Sequence, residues 1–302
     1  MSRTSPLPAS VVVSPKAGEG RAIFGALLET TKPGITRLVT ITSLVGFVAA
    51  AVGRAWPVSD LAVAFFGCLA GTYLSSAGAN SLNMWWERVR DARMARTASR
   101  PLPREALRPS SVLWTGLWLC AAGLLVLLVT TGVAPAVVSL ACMVTYVLIY
   151  TPMKPWSCYS TLVGAIPGAL PPLIGWSAAS EVGGWASLVE PGGLSLFGLM
   201  FVWQLPHFLA IAWMYRDDYA AGGYRVLPVL DPSGVATSVT MMFTAALLLP
   251  ATLLPLMAMP RLGWIYGVVA VISGLIYFVL SLKLVVRRTR PAARRVFFAS
   301  IM

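Results

Sequence analysis

Apolar residues run almost unbroken along this chain in stretches of about 20, the length a helix needs to cross a hydrocarbon core. The stretches lie at 36–54, 60–84, 112–131, 133–150, 160–179, 195–214, 238–258 and 262–284. Each is a continuous run rather than an alternation of period two, which predicts helices rather than the strands of a barrel. A ninth run opens at Val296-Phe297-Phe298-Ala299-Ser300-Ile301-Met302, so the last helix is expected to be cut short. The expected fold is an all-α integral membrane bundle of eight to nine transmembrane helices. In lipid every backbone polar group needs an internal partner, and helices supply it.

Charge sorts the connecting segments into two kinds. Arg3, Lys16, Arg21, Lys32 and Arg37 precede or open the first run, and Arg88, Arg90, Arg93, Arg96, Arg100, Arg104 and Arg108 fill 83–111. Lys154 lies in 151–159, Arg216 and Arg225 in 215–237, and a basic stretch from Lys283 to Arg295 follows the eighth run. The alternate loops are poor: 131–135 has no charge, 179–194 has Glu181 and Glu190, 259–261 has Arg261, and 54–60 has Arg54 and Asp60. Basic loops stay on the cytoplasmic side, which assigns the rich set and the N-terminus there. Residues 1–32, rich in Ser, Pro and Gly, are expected to form a flexible cytoplasmic tail, and 33–302 the transmembrane domain. A cleaved signal peptide would carry its apolar region earlier. The acid-poor tail, with its Ser and Arg, leaves a mitochondrial inner membrane open beside a cell inner membrane.

Composition agrees. Of 302 residues, 57% are hydrophobic and 11% charged, with mean hydropathy +0.76; a soluble domain carries about 25% charged residues. The net charge of +12 does not point to nucleic acid, because the basic residues are interleaved with membrane runs. Cys68, Cys120, Cys142 and Cys158 form no CxxC pattern. Neither a disulfide framework nor a zinc site is indicated.

Acidic residues are scarce, and two groups of them stand at the ends of long runs. Asn83, Glu87 and Asp91 are spaced i, i+4, i+8. On a helix each step drifts by roughly 40° and rises about 6 Å, so three oxygens stack on one face. That set suits Mg²⁺, which takes one or two carboxylates and completes its shell with water and phosphate oxygens. Asp217 and Asp218 supply a second oxygen group on the same membrane side. Arg88, Arg96 and Arg100 lie beside the first group, and Lys154 lies on another loop of that side; Arg grips phosphate as a fork and Lys as a point charge. From residue types alone a diphosphate site, a solvated topogenic loop and a transporter gate all stay open. A transporter would more often show inverted repeats and midplane charges. No P-loop, G-x-G-x-x-G or G-x-S-x-G is present.

Prolines at 167, 171, 172, 206, 250 and 255 fall inside apolar runs. They are read either as ordinary transmembrane proline or as kinks curving the bundle around a cavity. His207, in Trp203-Gln204-Leu205-Pro206-His207-Phe208, is the only histidine. Intramembrane ionisable groups are costly and functional by default. Its readings are a substrate contact, a base, an axial ligand to a metal porphyrin, or a neutral ring bonded to a freed carbonyl.

The segment from Asn83 through Glu87, Asp91, Arg96-Thr97 and Arg100-Pro101-Leu102-Pro103 resembles the first motif of the UbiA-type intramembrane prenyltransferases. The Arg96–Leu102 continuation and Trp203–Phe208 narrow the resemblance to the heme O synthase branch, the protoheme IX farnesyltransferases. Tyr150–Lys154, Gly168–Trp176 and Tyr215–Tyr219 agree, and the likeness spans about residues 30 to 302. It implies a nine-helix bundle open laterally to lipid and Mg²⁺-dependent use of farnesyl diphosphate, with heme b as acceptor. The product would be heme O for heme-copper terminal oxidases. Heme A synthase or oxidase assembly proteins are the implied partners. It implies further that Asn83, Glu87, Asp91, Asp217 and Asp218 hold the metal and act in catalysis. Arg88, Arg96, Arg100 and Lys154 would hold diphosphate, and His207, Tyr150, Trp203 and Tyr215 would meet the isoprenoid or the heme. The adjacent pair Asp217-Asp218 departs from the D-x-x-x-D spacing of many relatives. Prenylation of a quinone or chlorophyll precursor, or a non-catalytic assembly role, are the alternatives within the same fold.

Overall fold

The structure, a computed structural model, describes residues 19–301. Among them are eight helices long and apolar enough to span a membrane. A short helix α1 (Glu19–Thr30) precedes them. The spans are α2 (Pro33–Ala51), α3 (Val58–Asp91), α4 (Pro109–Thr131) and α5 (Val133–Val144), the last continued by a π-helical turn at Thr145–Tyr150. They go on with α6 (Ser160–Ala179), α7 (Pro191–Met214), α8 (Val235–Ala258) and α9 (Gly263–Arg287). A ten-residue helix α10 (Arg290–Ala299) follows. The chain is thus a multi-pass all-α membrane protein with the expected number of crossings.

Residues 1–18 of the expected tail lie outside the described residues. Residues 19–30 differ from expectation, because they form a helix that packs on α3 and α4. Ala26 is buried there beside Met84, Leu102 and Val112. A short helix with one apolar stripe among charged neighbours leaves little trace in a hydropathy window tuned to about 20 residues.

The helices close on one another through small residues, as in membrane bundles generally. α3 packs along α4, and α2 along α6. At the α2–α6 seam a Cβ on Gly175 would overlap the Ser43 carbonyl, so only glycine lets the two backbones approach this closely. The six in-run prolines all sit inside helices. Pro171 has no N–H to offer the Pro167 carbonyl, and the Cys142 thiol donates to that carbonyl instead at 3.2 Å.

The loops gather by charge at the two ends. At one end Arg90 donates to the Gly222 carbonyl at 3.0 Å, and Arg225 N–H to the Lys154 carbonyl at 2.9 Å. The basic segments therefore share an end, as their alternation predicts. At the other end the two exceptional arginines have structural partners. Arg54 donates to the carbonyls of Ala179 and Ser180 at the C-terminus of α6, and Arg261 to Val52 O past α2. Cations at helix C-termini satisfy orphan carbonyls and oppose the helix dipole.

Candidate active site

The helix α3 carries the site. It has no proline between Val58 and Asp91 and runs about two turns past its apolar run, so Asn83, Glu87 and Asp91 stay in helical register. All three are buried, at 1%, 6% and 1% exposure. The chain then turns back on itself, and the Thr97 hydroxyl donates to the Asp91 carbonyl at 2.9 Å. This fold-back brings Arg96 and Arg100 beside the acidic face.

Each of the three stacked side chains has a cation on it. Lys32 Nζ donates to Asn83 Oδ1 at 2.5 Å, Lys154 Nζ to Glu87 Oε1 at 2.7 Å, and Arg100 to Asp91 Oδ2 at 2.7 Å. The side chain of Lys154 is 13% exposed and that of Glu87 7%. Burial alone would lower the Lys154 ammonium, but Glu87 and the phenols of Tyr150, Tyr146 and Tyr224 outweigh it and hold the charge well above its ordinary range. Lys32 has the opposite fate. Burial, with Arg100 next, pushes it down to about 7, because its partner is a neutral amide.

The amide of Asn83 is oriented by a second hydrogen bond. Its Nδ2 donates to Thr151 Oγ1 at 2.9 Å, and the Thr151 hydroxyl spends its own proton on the Tyr146 carbonyl at 2.8 Å. Thr151 can therefore only accept, which turns Asn83 Oδ1 toward Lys32. Asp91 Oδ1 is buried without any partner. An unpartnered buried carboxylate oxygen is costly. Together with a fixed amide oxygen and a second carboxylate, it fits a small oxygen-seeking dication such as Mg²⁺. Among the described residues no three Asp, Glu, His or Cys side chains converge as a metal set, so the cluster offers two carboxylates and one amide oxygen.

A cavity of about 430 Å³ opens from this cluster into the bundle, within the usual size range of ligand pockets. Asn83, Glu87, Asp91, Arg96, Arg100, Lys154 and Lys32 line its polar end. Tyr146 and Tyr150, on the π-helical turn, stack with centroids 5.9 Å apart and form part of its wall. Trp203 and His207 of α7 line it as well, stacked at 4.9 Å. On the α2 side the wall includes Ile35 and Leu38, both more than half exposed.

His207 is held from behind. Its Nδ1 lies 2.6 Å from the Ser300 hydroxyl, which itself donates to the Phe297 carbonyl at 2.5 Å. With that proton spent, the hydroxyl accepts from His207 Nδ1–H, and Nε2 keeps a free lone pair. Trp203 Nε1 donates to the Ser300 carbonyl at 2.9 Å.

Four sequence candidates lie off the cavity wall. Asp217 is exposed and paired with Arg290 at the start of α10, Asp218 is half-buried, and neither lines the cavity. The structure does not bring this pair to the first cluster. The reason is helical register: Tyr219 of the same short helix, Arg216–Ala221, faces the cavity. Residues one and two positions away then point about 100° and 200° elsewhere. Arg88 turns to the Trp85 carbonyl at 2.7 Å and stands over the Trp85 ring. Tyr215 lies outside but holds Arg96, whose guanidinium sits 5.0 Å above its ring. Conversely Lys32, Tyr146, Tyr219 and Tyr224 line the cavity without having been singled out for it. For Lys32 the available signal was a lone cation directly before Pro33 at the mouth of a span.

The UbiA prenyltransferase family model matches residues 39–302. The chain belongs to the UbiA prenyltransferase family. A protoheme IX farnesyltransferase of Opitutus terrae is 40% identical over 281 residues, 93% of this chain and 91% of that protein. Proteins of the same name from Salinibacter ruber and an Anaeromyxobacter species are 38% and 41% identical. They align over 91% of this chain and over 93% and 88% of their own lengths. Among solved structures, a digeranylgeranylglyceryl phosphate synthase superposes with TM-score 0.72 at 16% identity, covering 92% of this chain and 94% of its own. A UbiA homolog from Archaeoglobus fulgidus bound to GPP and Mg²⁺ gives 0.65 at 13% identity, covering 91% and 98%. The resemblance carried by segments 83–103 and 203–208 therefore holds across most of this UbiA prenyltransferase, and the bundle is that family's fold.

Proposed function

We propose that this UbiA prenyltransferase transfers the farnesyl group of farnesyl diphosphate to a vinyl group of heme b, giving heme O. The observation that carries the reading is the cavity joining an acid–base cluster at one end to the stacked pair Trp203–His207. Relatives named protoheme IX farnesyltransferase, aligned over about nine-tenths of the chain, support the choice of substrates.

In this reading Asn83, Glu87 and Asp91 hold Mg²⁺, with Asp91 Oδ1 already free to do so. Bound there, Mg²⁺ supplies Lewis-acid neutralisation of the diphosphate. Arg96, Arg100, Lys154 and Lys32 take the remaining phosphate charge as the farnesyl C–O bond breaks. The faces of Tyr146 and Tyr150 line the route of the resulting allylic cation, where aromatic rings stabilise positive charge. The vinyl terminal carbon attacks farnesyl C1. Water then adds to the carbon beside the porphyrin ring and loses a proton, so diphosphate leaves and a hydroxyethylfarnesyl group remains. The apolar wall keeps water from the allylic cation until the carbon–carbon bond has formed. His207, fixed as the Nδ1–H tautomer, presents Nε2 to the acceptor, and Trp203 offers it a flat surface. Asp217 and Asp218 join the metal set only if the 215–224 segment turns inward, away from Arg290.

The basic end is assigned to the cytoplasmic face of a cell inner membrane. The product would pass toward terminal oxidases through heme A synthase or oxidase assembly proteins. The test is transfer of radiolabelled farnesyl diphosphate, in membranes with Mg²⁺, to heme b and to an aromatic quinone precursor offered together. Label in the porphyrin fraction is expected; label in the quinone precursor alone overturns the reading.

A further inference from the structure

Asp91 Oδ1 is unpartnered, but each of the three metal-facing side chains already carries a cation that a diphosphate would need. Lys32 sits on Asn83, Lys154 on Glu87 and Arg100 on Asp91, all lining one cavity. We propose that Lys32, acting with Lys154 and Arg100, makes the site take up a divalent cation and a diphosphate only as a pair. The proposal rests on reading the cluster as a metal–diphosphate site.

Charge is the first argument. Lys154, Arg100 and Arg96 face the carboxylates of Glu87 and Asp91, so the cluster is net positive even where Lys32 is neutral. A dication arriving alone would raise that charge and push ammonium and guanidinium groups off their partners into a site with little water, where unpaired charge is heavily penalised. A diphosphate arriving alone would draw the cations away and leave Glu87 and Asp91 buried without counter-charge. Arriving together, each ligand receives the partners that the other releases. Such coupling is reciprocal: whatever factor the anion adds to metal affinity, the metal adds to anion affinity.

Backbone geometry gives the second argument and singles out Lys32. Its φ of 47° and ψ of 66° are left-handed, in a non-glycine residue directly before Pro33. The residue before a proline prefers extended backbone, so this conformation is strained and persists only where the surroundings impose it. Here the strained turn between α1 and α2 puts Lys32 Nζ on Asn83, 51 residues away in sequence. Unlike Lys154 and Arg100, it pairs with a neutral oxygen. It therefore shields a metal position without being bound there by charge, and it is the cation freest to follow an incoming anion.

Equilibrium dialysis of the purified full chain tests this, with radiolabelled Mn²⁺ standing for Mg²⁺ and radiolabelled inorganic pyrophosphate as the anion. Wild type is expected to retain Mn²⁺ at least about tenfold more tightly when pyrophosphate is present, within the range of about 5–150-fold typical of coupled sites. Pyrophosphate should gain the same factor from Mn²⁺. In Lys32→Met, Mn²⁺ alone should bind more tightly and the factor should shrink, while Lys32→Arg should keep it. Equal Mn²⁺ affinity with and without pyrophosphate in wild type overturns the proposal, whether or not the variants fold. A full wild-type factor that survives in a folded Lys32→Met removes the part assigned to Lys32. Failure to retain either label even together sinks the metal–diphosphate reading itself.

Discussion

Replacing Lys154 with methionine isolates one enclosed ion pair of the site. The ammonium and the Glu87 carboxylate are 2.7 Å apart and nearly enclosed, at 13% and 7% exposure. Removing one partner of such a pair leaves a buried charge and typically costs about 3–5 kcal/mol. Proton uptake sets a ceiling. Neutralising a carboxyl of reference pKa about 4.3 at pH 7 costs roughly 3.7 kcal/mol, at about 1.4 kcal/mol per pH unit. The expected loss is therefore about 3–4 kcal/mol at pH 7, falling to about 1 kcal/mol at pH 5, where taking up the proton is easier. The chain supplies its own control. Arg104 and Glu29 are nearly as close, 2.8 Å apart, but each is about half exposed, at 46% and 45%. Arg104→Met should cost under about 1 kcal/mol, as exposed pairs do. The assay is reversible unfolding in mixed micelles, followed by tryptophan fluorescence at both pH values. Lys154→Met combined with Glu87→Gln should recover much of the single-variant loss. A Lys154→Met cost no larger than that of Arg104→Met, or one independent of pH, would refute the picture of an enclosed pair.

Other perturbations separate site from scaffold. Asp91→Ala should abolish farnesyl transfer while the protein stays in the membrane at normal abundance; retained turnover would reduce Asp91 to a loop charge. Gly175→Ala should destabilise the bundle by about 1–3 kcal/mol, because the new methyl meets the Ser43 carbonyl across the α2–α6 seam. An unchanged unfolding midpoint would mean the seam is looser than described. Ser300→Ala should raise the KM for heme b by about tenfold, the scale seen when a ring's orienting hydrogen bond is lost. The KM for farnesyl diphosphate should not move, and equal changes in both would make Ser300 merely structural.

The parts of the fold written in strong periodic signals are legible in the sequence itself. Eight apolar runs became eight spans, and the fourfold spacing from Asn83 to Asp91 became one buried helix face. Arg54 and Arg261, which blurred the charge alternation, turned out to cap helix ends by hydrogen bonds that hydropathy does not register. What the sequence left hidden depends on single turns and long-range register. Lys32 reaches the site through one left-handed residue at the α1–α2 corner. Tyr146 and Tyr150 stack on a π-helical turn that no residue pattern announces. Asp217 and Asp218 looked like a second metal group by composition. The few residues of helix that carry them give the cavity Tyr219 instead and leave Asp217 to Arg290.

The central proposal is that the cavity joins a farnesyl donor at one end to heme b at the other. Membranes carrying this protein, supplied with farnesyl diphosphate, Mg²⁺ and heme b, followed by mass analysis of the extracted hemes, test that directly. A heme heavier than heme b by one farnesyl group and one hydroxyl is the predicted product, absent with Asp91→Ala. Unchanged heme b from a folded, membrane-inserted sample that prenylates a quinone precursor instead would contradict it.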